Sequence, residues 1–136
     1  MELMSKTGET NLIALIANMR PVLNDGTYVF TTVTDIDAIP RSIPIFEMKE
    51  EEGITVVVSK EYAVEHNLTF EYIASWITLN IHSSLEAVGL TAAFSTALGE
   101  NKISCNVVAG YYHDHIFVDA NDAEKAMHIL WKMTKK

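Results

Sequence analysis

The chain has 136 residues, 49% of them hydrophobic and 21% charged, with a formal net charge of −8. This composition fits one compact domain, or two small subdomains sharing a core, and excludes a disordered tail protein. Its ten basic residues are scattered, apart from a terminal KMTKK, and neutralising phosphates needs clustered Lys and Arg, so neither nucleic acid nor an anionic membrane is expected as a partner.

The N-terminal MELMSKTGET mixes acids with its one lysine and lacks the basic start of a secretion signal. The LIALIA that follows is too short to span a bilayer, so a soluble, cytoplasmic protein is expected. GETNLIALIANMRPVL places Leu12, Leu15, Ile16 and Met19 on one helical face, and Pro21 blocks that helix. NDG at 24–26 signals a turn. TYVFTTVT is β-branched and aromatic and reads as a strand. DIDAIPRSIP is a loop marked by Pro40 and Pro44. IFEMKEEEGITVVVS predicts a hairpin around an acidic turn ending in Gly53, and KEYAVEHN a short helix with Ser59 as N-cap.

YIASWITLNI alternates, with Ile73, Ser75, Ile77, Leu79 and Ile81 on one face and Trp76, Thr78 and Asn80 on the other. SSLEAVGLTAAFSTALGEN carries the helical stripe Leu90, Ala93, Phe94, Ala97 and Leu98, with Gly99 or Asn101 able to end the helix. ISCNVVAG and HIFV are β by composition. NDAEKAMHILWKMTKK predicts a last helix, with Asn121 as cap and Ala123, Ala126, Met127 and Leu130 as its buried face. Residues 71–134 thus read β-α-β-β-α, an open antiparallel sheet with helices packed on one face, the α+β class. A ferredoxin-like βαββαβ unit needs one more strand. The N-terminal half is expected to complete that sheet or to form a similar unit beside it.

The run LEAVGLTAAFSTALGENKISCNVVAGYYHDHIFV resembles small bacterial ACT-domain proteins related to the regulatory ACT pairs of aspartate kinases. The matching features are the helix opening at VGLTAAFSTAL, the ISCNVV strand and GYYHDHIFV; EGITVVVSKEYA looks like the first ACT-like half. The resemblance implies two ferredoxin-like (ACT-like) βαββαβ-type halves, at 1–70 and 71–136, and homodimers with sheets side by side. It also implies small ligands, typically amino acids, bound between ACT units. It implies regulation rather than catalysis. No Gly-rich phosphate loop is present in the sequence, and no kinase domain is expected in a chain of this length.

Two stretches carry the candidate binding residues. In ACT domains the loop before the helix is where amino-acid ligands commonly sit. On that resemblance Val88, Gly89, Leu90 and Thr91 lie nearest the ligand, with Ser83 and Ser84 as hydroxyl partners. A helix start offers free N–H groups to a carboxylate, and a glycine allows close approach. The alternative is that Ser84 caps the helix and Gly89 is a packing glycine. Asn106 could bond a ligand or a neighbouring loop. The second stretch is GYYHDHIFV. Strand alternation puts His113 and His115 on one face and Asp114 opposite. Either the His and Tyr112 rings line a pocket, or they pack at a dimer seam around a tight turn.

A His-x-His pair supplies two metal ligands, which do not make a site, so no metal and no cofactor is expected. Cys105, the single cysteine, leaves no internal disulfide and fits a reducing compartment. It is the one local nucleophile for His113 or His115, but its parity with Ile103 and Val107 suggests a buried, inert thiol. Three functions therefore stand: a small-molecule sensor, a dimeric interaction module, and a metal- or thiol-dependent enzyme.

Overall fold

The computed structural model describes residues 11–81 and 88–135. Among these residues α-helices run over Leu12–Asn18 (α1), Lys60–Glu65 (α2), Leu90–Glu100 (α3) and Ala123–Met133 (α4). The strands are β1 (Arg20–Leu23), β2 (Tyr28–Val33), β3 (Phe46–Lys49), β4 (Ile54–Ser59), β5 (Ile73–Asn80), β6 (Asn106–Ala109) and β7 (Asp114–Asp119). The described residues form two compact units: Asp25–Ser75 is one, and the residues up to Asn24 together with those from Trp76 onward are the other. The second is called unit 1 below and the first unit 2.

In unit 2 the strand order is β3-β4-β2, and the first residues of β5 join β2 through Tyr28↔Ala74 and Val29↔Ile73. The β3–β4 hairpin closes with Glu50 N donating to Gly53 O at 2.9 Å. Ser59 caps α2 as expected, its hydroxyl accepting from Tyr62 N at 3.1 Å. Along β2 and β4 alternate residues turn inward, so Val29, Val56 and Val58 meet Ala63 of α2 and Ile39 in a small core. The loop after β2 contains only a 3₁₀ turn, Ile36–Ala38, capped by the Asp35 carboxylate. Unit 2 is thus a βαββαβ chain whose first helix is shortened to one turn.

Unit 1 has the sheet order β1-β5-β7-β6. β1 lies antiparallel to the end of β5, from Arg20↔Asn80 to Leu23↔Ile77. The strand missing from β-α-β-β-α is therefore supplied by a segment earlier than unit 2. Pro21 has no N–H to give a ladder, and it sits on an edge strand, where that loss is tolerated. The core gathers Leu15 and Met19 of the α1 segment, Ile77 and Leu79 of β5, Leu90, Phe94 and Leu98 of α3, Ile116 and Val118 of β7, and Ala126 and Leu130 of α4. Among the described residues, α1, α3 and α4 cover this one face of the sheet. Phe94, fully buried, alone removes enough apolar surface to contribute about 3 kcal/mol.

α3 begins at Leu90, with Gly89 in the N-cap position, and Ser84 lies outside the described residues. One helix start differs from expectation. At α4 a 3₁₀ turn, Ala120–Asp122, precedes the helix. The Asp119 carboxylate accepts from Asn121 N, and Asn121 is part of the turn rather than the cap. The shorter reach of a 3₁₀ turn lets Asp119 satisfy that donor first.

Candidate functional site

The face of the unit 1 sheet away from its helices carries a polar network built on β5 and β7. Alternation turns Ile77 and Leu79 to the core and leaves Trp76 and Thr78 on the other face, half-buried. On β7 the same alternation buries Ile116 and Val118 among the helices and sets His115 and Phe117 beside Trp76. Trp76 Nε1–H donates to His115 Nδ1 at 3.0 Å, and Thr78 Oγ1 lies 3.2 Å from the same nitrogen. Indole N–H can only donate, so His115 Nδ1 carries no proton and the neutral ring holds its proton on Nε2. The Thr78 hydroxyl then donates as well, and accepts from Asn24 Nδ2 at 3.0 Å. Asn24 is fixed in turn by bonds from its N (2.9 Å) and Nδ2 (3.2 Å) to Trp76 O.

Burial holds the His115 pKa below its ordinary 6.5, repulsion from the neighbouring His113 adds to this, and Asp114 opposes it. Burial pushes Asp114 up, with His115 opposing. The His113 ring stands edge-on to His115 with centroids 6.5 Å apart, and its Nδ1 is buried without a hydrogen-bond partner among the described residues. Gly110 closes the turn, its N donating to His113 O at 2.9 Å. A Cβ at this position would stand 2.9 Å from that oxygen and 3.2 Å from His115 Nε2. Glycine here is required by close approach. Tyr111 and Tyr112 project from the turn, 80% and 76% exposed, packed edge to face.

The second group lies at the start of α3. Gly89 has φ +97°, which puts the chain in the left-handed region just before the helix. A Cβ there would come within 3.2 Å of the Leu12 side chain. Gly89 thus packs closely on α1, and its left-handed conformation sets the direction of the helix start. Ala93 N takes up Gly89 O, so the N–H groups of Leu90, Thr91 and Ala92 have no partner within the helix. Leu90 is buried in the core, Thr91 is exposed and Val88 is 84% exposed. Ser83 and Ser84 lie outside the described residues.

Thr78 meets His115, and Trp76 meets Phe117, so β7 starts where β5 ends. The 110–113 turn stands at that end of the unit 1 sheet. Asn106 does not join it. It stands opposite Phe117, three residues further along the ladder, about 10 Å from that end. Its Nδ2 donates to Phe117 O at 3.4 Å.

Cys105 packs against the core that holds Ile116 and Val118, on the side of the sheet away from His115, and burial raises its thiol pKa. Among the described residues no three His, Cys, Asp or Glu side chains stand close enough to hold a metal ion. The residues that sequence reasoning missed are Asn24 and the Trp76–Thr78 pair. Alternation had placed Trp76 and Thr78 on the face away from the core, but which strand lies beside them depends on a pairing 39 residues away.

A profile of the ACT domain matches residues 7–75, and a second ACT-domain profile matches residues 71–132. The chain belongs to the ACT domain family. No curated protein matches its sequence. A Vibrio cholerae crystal structure, described as a protein of unknown function and possible transport protein, is 46% identical. It covers 91% of this chain and 96% of its own, with a TM-score of 0.83. An Agrobacterium tumefaciens structure is 17% identical over 85% of this chain and 89% of its own, TM-score 0.70. The ligand-free regulatory subunit of aspartate kinase from Thermus thermophilus is 11% identical, covers 88% of this chain and 98% of its own, and has a TM-score of 0.63. At those identities the last two establish the fold. ACT domains are in general regulatory, ligand-binding and non-catalytic, and a regulatory, ligand-binding role in general follows for this ACT pair. No helix among the described residues is long and apolar enough to cross a membrane.

Proposed function

We propose that this ACT pair is a cytoplasmic regulatory sensor that binds an amino acid at the start of α3 and performs no catalysis of its own. The observation that carries the reading is the α3 start: three helix N–H groups without an intrahelical partner, preceded by Gly89 at φ +97°. The ligand carboxylate accepts from the N–H groups of Leu90 and Thr91, at the positive end of the helix dipole. In this proposal Val88 and Thr91 flank it and the turn before β7 supplies Tyr112, His113 and Asp114, while His115, on the other face of the sheet, holds that turn in place. His113 Nδ1, buried and without a bond, is a waiting acceptor or donor for the ligand's polar groups. Ser83 and Ser84 complete the proposed contacts. Asn106, tied to β7, takes a structural part. The same fold serving as a separate regulatory subunit in Thermus thermophilus supports a regulator that acts on another chain. The single cysteine supports a reducing compartment.

The test is a thermal-shift screen of the full chain against the standard amino acids. A ligand at about 100 times its Kd stabilises by about 2.7 kcal/mol, which moves Tm by several degrees. One amino acid is expected to give a saturable rise, lost in Gly89→Val, where an L side chain strains the loop and meets Leu12. No shift with any amino acid at concentrations far above physiological overturns the proposal.

A second reading, compatible with the first, is a homodimer. The exposed Tyr111–Tyr112 pair and the open edge of β6, with Val107 exposed, favour it.

A further inference from the structure

Unit 2 contains an open cleft of about 500 Å³ that the sensor reading does not use. It lies where a ladder stops. β5 pairs with β2 only at Tyr28↔Ala74 and Val29↔Ile73. The segment before β5 does not continue the pairing, and it walls the cleft opposite β2. The walls are Phe30 and Thr32 of β2, Thr55 of β4, and Phe70, Glu71 and Tyr72 of that segment. Thr32 and Thr55 are partners across the β2–β4 ladder and share one face of the sheet. The Thr55 hydroxyl donates to the Glu50 carboxylate, which brings a second acid to this wall.

The chemistry of the lining is one-sided. Phe30, Phe70, Tyr72 and Glu71 line the cleft, Phe70 at its margin where it packs on the Val29–Val56–Val58 core, and no lysine, arginine or histidine lines it. Aromatic faces carry negative potential and attract cations, most strongly where water is partly excluded. Unit 2 as a whole carries ten carboxylates against Arg41, Lys49 and Lys60, a net −7 of the chain's −8. An anion entering here meets repulsion and no counter-charge. A zwitterionic amino acid finds nothing for its carboxylate. The volume is that of a small-molecule site, too small for a folded partner. We infer that this cleft binds a small organic cation of the alkylated ammonium type. Phe30 and Tyr72 supply the aromatic wall, Phe70 closes its margin, Glu71 supplies the counter-charge, and the threonines bonds to a ligand hydroxyl. It is a site distinct from the α3 start, opposite in charge preference and carried by the other unit.

The experiment is an NMR titration of the full chain with choline chloride, with sodium chloride as the ionic-strength control. Its comparison ligand is 3,3-dimethylbutan-1-ol, which has the shape of choline but no charge. Choline is expected to give saturable shifts at amides 30–32, 55 and 69–72. The neutral alcohol should bind at least about fivefold more weakly. Glu71→Gln, at an exposed position, should keep the wild-type spectrum elsewhere and weaken choline by a similar factor. Absence of saturable shifts, equal binding of the neutral alcohol, shifts centred outside the cleft, or unchanged choline affinity in Glu71→Gln would each overturn the inference.

Discussion

His115 is held neutral by two donors aimed at one nitrogen, and this has a consequence for pH. A second proton on Nδ1 must displace the Trp76 N–H and the Thr78 hydroxyl. Burial already lowers the pKa below 6.5, so the unfolded chain binds this proton more readily than the folded one. The stability His115 contributes is therefore present above pH 6.5 and lost as pH falls from there through the folded pKa. Asp114 works in the opposite sense. Its raised pKa favours the folded state at low pH, and that contribution is lost as pH rises from about 3.8 through the folded value. Between pH 8 and 5.5 protonation of His115 is thus expected to lower stability on acidification. His115→Gln should fall less over that range, and at pH 8 should be about 1 kcal/mol less stable through loss of the Trp76 bond. Urea unfolding of both proteins at the two pH values checks this; equal pH slopes would count against the locked ring. GYYHDHIFV thus has a definite part in the fold: Gly110 for the approach, His115 for the bond to Trp76, and Ile116 and Val118 for the core.

At the scale of elements, β1 is the piece the sequence concealed. RPVL is four residues long, contains a proline and follows a helix, so local pattern reads it as a helix stop. Its strand character comes only from Ile77–Asn80, some 55 to 60 positions later in the chain. The longer elements were legible because their evidence is local. α2 has its Ser59 cap, α3 its Leu90, Phe94 and Leu98 stripe, and β5 and β7 their alternation. The Asn121 cap was misread because composition does not reveal the extra 3₁₀ turn. The α3 start was legible as a candidate, since Gly89 stands out in the sequence, whereas the Trp76–Thr78–Asn24 support of His115 was not. Met19 tests where the α1–β1 segment belongs. It is fully buried in the unit 1 core, so Met19→Ala should cost about 2–5 kcal/mol in urea unfolding. Hydrogen exchange in this variant should quicken in 77–80, 114–119 and α3, and leave 54–58 protected. Equal loss of protection in 54–58 would mean that the segment supports both units alike.

Over the whole molecule, charge is divided as unevenly as topology. Unit 2 carries net −7 and unit 1 only −1. Two copies approaching through unit 2 repel one another, while unit 1 offers β6, a short edge strand, NVVA, without a charge to guard it. Light scattering is therefore expected to give twice the 15.2 kDa chain mass, and Val107→Asp a monomer with unchanged circular dichroism. A wild-type monomer at high concentration would remove the homodimer.

The borrowing of β1 also sets the order in which the protein can be finished. On the ribosome α1 and β1 emerge first, and unit 2 follows with all its strands but the last already in hand. β1 waits until β5 appears, and its cover from α4 comes later still. The earliest secondary structure in unit 1 is among the last to find its partners. Unit 2 can close early because its contacts lie within 51 successive residues, whereas unit 1 must close a loop of some 60 residues from Arg20 to Asn80. Non-local pairing of this kind is slow. During that wait Leu15 and Met19, destined for the interior, are left uncovered.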